Sequence, residues 1–344
     1  MSPKRSSSLS LNQKLTLLVA FLAVIGGIVA AFISGHDWFS TSPSNPSSTS
    51  LAVVSATKTT MLLPDPSITP VLPTTTITPT PNPTLIAMFA AVSTPNSSFM
   101  IQSRVDNGFE QIWIPGGSFV AGDTSGIGYE DEKPFHLVYT DGFWIDRNLI
   151  TNSQYASCPK SVCTEPSELD SHKRPNGYYG VPAYKDYPVI DVTWQQASDF
   201  CNWRGGRLPT EAEFEKAAGW NPKTGATFIY PWGNFSPTDQ LANYDGVDRD
   251  TTQVGAYPRG MSLTGAYDMA GNVWEWVSDW YSETYYADNQ EWKNPTGPSI
   301  GAEKVVKGGS WYSSNILWLR VSNRGRSVPD KVANEFGFRC VVEK

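Results

Sequence analysis

Between residues 35 and 105 the chain is built mainly from Ser, Thr and Pro with almost no charge, and this stretch decides where a fold can form. Proline removes backbone donors. With so few large apolar side chains, the segment cannot bury enough surface to offset the entropy of ordering it. The run Thr74-Thr-Thr-Ile-Thr-Pro-Thr-Pro-Asn-Pro-Thr84 is its extreme. Residues 35–105 therefore read as an extended, disordered stalk. Any packed core is expected after it, in residues 106–344.

Ahead of the stalk, Thr16 to Ile33 carries no charge and follows Lys4, Arg5 and Lys14. As a helix rising about 1.5 Å per residue, this run would reach roughly 27 Å, close to a hydrocarbon core of about 30 Å. Residues 16–34 are expected to be a transmembrane signal-anchor, with the basic residues 1–15 left in the cytoplasm. A cleaved signal peptide is the competing reading, because Ala30 and Ala31 lie near a suitable cut. The apolar run is longer than the usual signal core, which favours the anchor. Either way the C-terminal domain is expected on the far side of the membrane, at a bacterial cell surface. A formal net charge of -7 without any Lys/Arg cluster argues against nucleic acid as a partner.

From Phe109 the composition changes to one rich in Trp, Tyr, Phe and Gly. Glu110 to Pro115 reads as a first strand, Gly116-Gly117-Ser118 as a turn and Phe119 to Gly122 as a second strand. His136–Tyr139 and Gly142–Ile145 are further short strands. Thr193-Trp-Gln-Gln196 and Thr210-Glu-Ala-Glu213 have capping-box spacing. The first box opens a helix with Ala197, Phe200 and Cys201 on one face, stopped by Gly205-Gly206. The second opens a helix with Phe214, Ala217 and Ala218. Leu149 to Tyr155 is a third helical candidate. Beyond Trp220 only short, punctuated segments remain, so the fold class is α+β with much irregular structure.

Eight strings in order resemble the formylglycine-generating enzyme, or sulfatase-modifying factor, family. They begin with Ile114-Pro-Gly-Gly-Ser-Phe119, Phe143-Trp-Ile-Asp146 with Thr151-Asn-Ser-Gln-Tyr155, and Pro188-Val-Ile-Asp-Val-Thr-Trp194. Arg207-Leu-Pro-Thr-Glu-Ala-Glu-Phe-Glu215, Tyr230-Pro-Trp-Gly-Asn234 and Tyr267-Asp-Met-Ala-Gly-Asn-Val-Trp-Glu-Trp276 follow. The last two are Lys307-Gly-Gly-Ser-Trp311 and Phe336-Gly-Phe-Arg-Cys340. The resemblance implies that family's irregular variant of the C-type lectin fold.

It also implies sites. Asp268, Gly271, Val273 and Glu275 match positions that hold a structural calcium ion in the family, and their hard oxygen donors suit it. Asn243 and Tyr244 resemble half of a second calcium site, with Asp248 or Asp250 as a candidate partner. Cys201 and Cys340 match a disulfide of the family, two buried thiols being the alternative. Read from spacing alone, Cys158 and Cys163 favour a local disulfide over zinc. Only His36, His136 and His172 exist to complete a metal set.

The family's oxidases bind Cu(I) through two cysteines shortly after the Gly-Gly-Ser string. Here Ser313 falls where the first would lie and Trp318 near the second. Cu(I) selects soft thiolates, so copper oxidation is not expected, although Trp274, Ser310 and Ser313 match cleft positions. Arg320, Asn323, Arg324 and Arg326 are candidates for an anionic ligand or for ion pairs with acidic residues. The function expected is an accessory or ligand-binding module for an unidentified protein, peptide or glycan. The alternative is a maturation oxidase that converts a target cysteine to formylglycine.

Overall fold

The computed structural model describes residues 98–343, apart from 176 and 290. The expected cytoplasmic N-terminus 1–15, the anchor 16–34 and nearly all of the stalk lie outside the described residues. Among the described residues, no helix is long and apolar enough to cross a membrane.

Strand pairing begins inside the segment assigned to the stalk. β1 (Ser103–Asp106) pairs antiparallel with β2 (Phe109–Ile114) through Asn107 and Gly108, which sit at φ 50° and 87°. Asn-Gly at two left-handed positions is the hairpin turn whose twist matches the flanking strands. It fixes the start of the fold before residue 106. β2 also pairs with β5 (Phe143–Asp146), which pairs with β10 (Val341–Val342), giving the sheet order β1-β2-β5-β10. β3 (Gly117–Ala121) and β4 (His136–Thr140) form a separate hairpin. A third sheet has the order β8-β7-β6-β9, with β6 at Trp274–Trp280, β7 at Lys304–Lys307, β8 at Gly325–Ser327 and β9 at Phe336–Gly337.

The helices start where their caps place them. α1 (Asn152–Tyr155) is shorter than expected, because the Thr151 side chain accepts from Gln154 N and starts the helix only after Leu149 and Ile150. α2 (Trp194–Trp203) and α3 (Glu211–Gly219) follow complete capping boxes at Thr193 and Thr210. α4 (Tyr285–Asp288) is a single turn. α3 departs from the amphipathic helix the pattern suggests, since all nine of its residues are buried. Its charges are therefore all partnered within the protein. Glu213 meets Arg207, Glu211 meets Arg324, Glu215 accepts from Gly122 N, and Lys216 donates to Pro115 O, Gly117 O and Thr140 Oγ1.

Apolar packing divides around these elements. Phe200, Trp276 and Phe338 lie at the heart of one cluster, and Ile112, Ile145, Phe214, Val305 and Val341 in a second. Cys201 bonds to Cys340 across 139 residues and Cys158 to Cys163 across five, so no free cysteine remains. Between the two main sheets sits Arg339, fully buried. It donates to both Glu275 oxygens at 2.6 and 2.8 Å, to Tyr267 O, and to the carbonyls of Asp146 and Arg147. The Asp146 carboxylate in turn accepts from both Arg204 Nη atoms at 2.7 Å and from Cys340 N at 2.8 Å.

Two stability predictions follow from these links. Replacing Cys201 and Cys340 by Ala should lower the unfolding free energy by about 5 kcal/mol, against about 2 kcal/mol for Cys158 and Cys163, because a longer closed loop restrains the unfolded chain more. Urea unfolding of the two double variants measures the difference, and similar losses would contradict the loop-length account. Arg339→Met should cost about 3–5 kcal/mol by leaving Glu275 as an uncompensated buried charge. Adding Glu275→Leu should recover much of that loss in the same assay.

Candidate functional site

The site is assembled where the third sheet meets the Gly-Gly-Ser loop. Trp274 opens β6, pairs with Phe336 and donates its N–H to Glu335 O at 2.7 Å. Gly308 and Gly309 follow β7 at φ 91° and 76°. A Cβ on Gly309 would lie 3.0 Å from Leu319 Cδ2 and 3.2 Å from Trp318 O, so the turn needs glycine on both conformational and packing grounds. The turn carries Ser310 into the interior, where Ser310 Oγ donates to Glu335 Oε2 at 2.9 Å. Ser310 N donates to Ser313 Oγ, also at 2.9 Å, and both serines are buried.

Beside this cluster opens a cleft of about 710 Å³. Trp274, Tyr281 and Phe336 line it, with Tyr129, Tyr312 and Trp318 contributing more exposed rings. Glu130, Asp131, Glu283 and Glu335 are its carboxylates, and Arg324 and Arg326 its guanidiniums. Burial, with the Asp131 hydrogen bond second, pushes the Tyr281 hydroxyl up to about 12, so it stays protonated and donates to Asp131 at 2.8 Å.

The structure brings Trp274 and Ser313 to the cleft wall, with Ser310 directly behind through its bonds to Ser313 and Glu335. The arginines serve mainly as ion pairs. Arg320 is fully buried and grips both Glu132 oxygens, and Arg324 is bidentate to Glu211 at 2.9 and 3.1 Å. Arg326, half exposed at the rim, pairs with Glu303 at 3.4 Å. Glu335, Asp131, Tyr129 and Tyr281 escaped the sequence reading. Glu335 immediately precedes the Phe336-Gly-Phe-Arg-Cys340 string, but no local spacing marks it as part of a site.

The donor set at the cleft floor consists of hydroxyls, a carboxylate and an indole, and every thiol is consumed in a disulfide. These residues do not fit Cu(I), which requires soft sulfur donors.

Side chains at several positions expected to hold calcium also make contacts within the protein. Asp268 and Gly271 sit at φ 55° and 79° in a loop packed on Asn243. Val273 points into the core. Both Glu275 oxygens are occupied by Arg339, and Asp268 Oδ2 accepts from Gly255 N. Burial, partly countered by that bond, pushes the Asp268 carboxyl up to about 6. Asp250 is a protein-internal hub, with Oδ2 accepting from Ser171 Oγ and Lys173 N and facing Arg174 at 2.8 Å. Asn243 Nδ2 donates to Asp250 O, and Tyr244 packs with Tyr230 and Leu319. Among the described residues, no group of three or more His, Cys, Asp or Glu side chains could hold a metal.

Residues 97–344 match the sulfatase-modifying factor enzyme 1-like domain. Over 245 residues the chain is 39% identical to serine/threonine-protein kinase Pkn1 of Chlamydia trachomatis, a match spanning 68% of this chain but only 38% of that protein. Over 285 residues it is 32% identical to the formylglycine-generating enzyme of Streptomyces coelicolor, covering 67% of this chain and 88% of that enzyme. Among solved structures, PvdO from Pseudomonas aeruginosa shares the fold at a TM-score of 0.57 and 23% identity, covering 73% of this chain and all of that one. With a match that runs through residues 97–344, the chain belongs to the sulfatase-modifying factor family, of which the formylglycine-generating enzymes are members.

Proposed function

We propose that this domain is a ligand-binding or accessory module that uses the family's cleft without its copper chemistry. The observation that carries the reading is Ser313 and Trp318 lining the cleft, in a protein whose four cysteines are all disulfide-bonded. Formylglycine formation oxidises a target cysteine, and the thiolate pair that would hold Cu(I) for it has no counterpart here. What the scaffold retains is a large, aromatic-lined concavity with a few polar groups, the form that binding sites commonly take. The apolar segment 16–34 supports an anchor that keeps the module at a membrane, facing the extracytoplasmic side. The kinase name of the Chlamydia relative stays with that longer protein.

The test combines turnover with binding. The full chain, incubated with Cu(I) and a peptide containing Cys-x-Pro-x-Arg, should leave the peptide mass unchanged. The same chain should capture members of immobilised peptide or glycan libraries. Tyr312→Ala and Trp318→Ala, at partly or largely exposed cleft positions, should weaken that capture by about tenfold or more while leaving the melting temperature unchanged. Conversion of the peptide cysteine to an aldehyde would overturn the reading in favour of a maturation oxidase.

A further inference from the structure

The first sheet has one edge that the described residues leave uncovered. Among them β1 has β2 as its sole strand neighbour, whereas β10, at the opposite end, pairs with β5 and also bridges Val341 to Arg207. Register decides which groups of β1 face outward. Asp106 and Phe109 flank the two-residue Asn107-Gly108 turn, so they form a hydrogen-bonded pair, and such pairs recur at every second position. Arg104 with Gln111 is the next, and Trp113 N donating to Gln102 O at 2.9 Å marks the third. The N–H and C=O groups of Ser103 and Val105 consequently point away from β2, to where a further strand would lie.

The side chains at this edge are apolar and bare. Ser103 and Val105 lie opposite Ile112 and Glu110, on the face whose Ile112 and Ile114 belong to the second apolar cluster. Val105 is 73% exposed there, and Met100 is 79% exposed. Ile101 lies against Gly265, where a Cβ would come within 2.9 Å of Ile101 Cγ2, and Leu263 in the same turn is also exposed. An edge that offers free backbone groups beside apolar side chains, with no proline or lysine to blunt it, is one that proteins normally cover.

The chain itself carries a matching segment. Leu85-Ile-Ala-Met-Phe-Ala-Ala-Val92, outside the described residues, is a run of eight apolar residues in a stretch without charge from 66 to 103, and ten residues separate it from Ser103. We propose that Leu85–Val92 pairs with the outer edge of β1, its alternate side chains packing beside Ile101 and Val105. Ten residues, at up to about 3.3 Å each, suffice to reverse direction toward a strand position about 4.8 Å away, and Pro95-Asn96 supplies turn residues. Magnitudes favour this occupant over a second copy or a separate partner. An edge of four residues falls well short of the roughly 1,200 Å² that a specific interface between separate chains buries. A segment tethered this closely meets the edge at an effective concentration on the order of millimolar, so a small contact suffices. The Ser/Thr/Pro spacer then ends at Thr84, and the domain hangs from the edge of its first sheet.

The test is hydrogen exchange read by mass spectrometry on the purified full chain. After correction for intrinsic rates, peptides covering residues 84–93 should exchange about tenfold or more slowly than those covering 66–83. Val105→Pro removes a donor that β2 does not use, a change an open edge tolerates and a paired edge does not. It should bring 84–93 to the rate of 66–83 while the near-ultraviolet circular dichroism stays native. Ile86→Asp combined with Phe89→Asp should speed exchange at 100–106 by about tenfold, and gives the same reading should Val105→Pro fail to fold. Protection that grows with protein concentration assigns the edge to a second copy and overturns the proposal. Rapid exchange of 84–93 in the unaltered chain, or protection there and at 100–106 that neither variant changes, overturns it as well.

Discussion

Arg339 is the constraint on which much of this domain depends. Its guanidinium reaches a carboxylate on one sheet and carbonyls at the end of a strand in another, and both Arg339 and Glu275 are fully buried. A buried charge of this kind specifies geometry more than it adds net stability, because its desolvation offsets much of the attraction. The residues beside it repeat the theme: Phe338 fills the core, Cys340 carries the long disulfide and Val341 pairs with β5. The stretch from Phe336 to Val341 thus holds two sheets and a helix in register through four different kinds of interaction.

Much of this was legible from residue patterns. The capping boxes at Thr193 and Thr210 fixed two helix starts, because a side chain satisfying a backbone N–H leaves a local signature. Cys158 and Cys163, five residues apart, pointed to a local bridge. The pairing of Cys201 with Cys340 came from family likeness, since no spacing rule connects residues 139 positions apart. The hairpin at Asn107-Gly108 carried a strong turn signal but lay at the edge of a Ser/Thr/Pro-rich region whose composition hid it. The third sheet was less legible. β7 has all four residues buried, including two lysines, and β9 is two residues long, so neither shows alternation.

The site divides along the same line. Trp274, Ser310 and Ser313 lie in recognisable strings, whereas Glu335 and Asp131 become cleft residues only through contacts made in three dimensions. The positions expected to bind calcium behave in the same way. Matching positions transferred the residue types but could not show that Glu275 is already held by an arginine from the other end of the domain. The parts that build the scaffold and the parts that face the cleft are largely different residues. The same architecture is built here with Ser313 and Trp318 after the Gly-Gly-Ser turn.

The long disulfide also bears on biogenesis. Cys340 can meet Cys201 only after the chain between them has been made, and the same late segment supplies β9, β10 and the central arginine. A nascent domain emerging in sequence order would display an open edge on β5 and an unpartnered carboxylate at Glu275 until its final stretch arrived. The fold is accordingly a late-closing one, assembled around a keystone delivered last. Any machinery that shelters the incomplete chain must act before that closure.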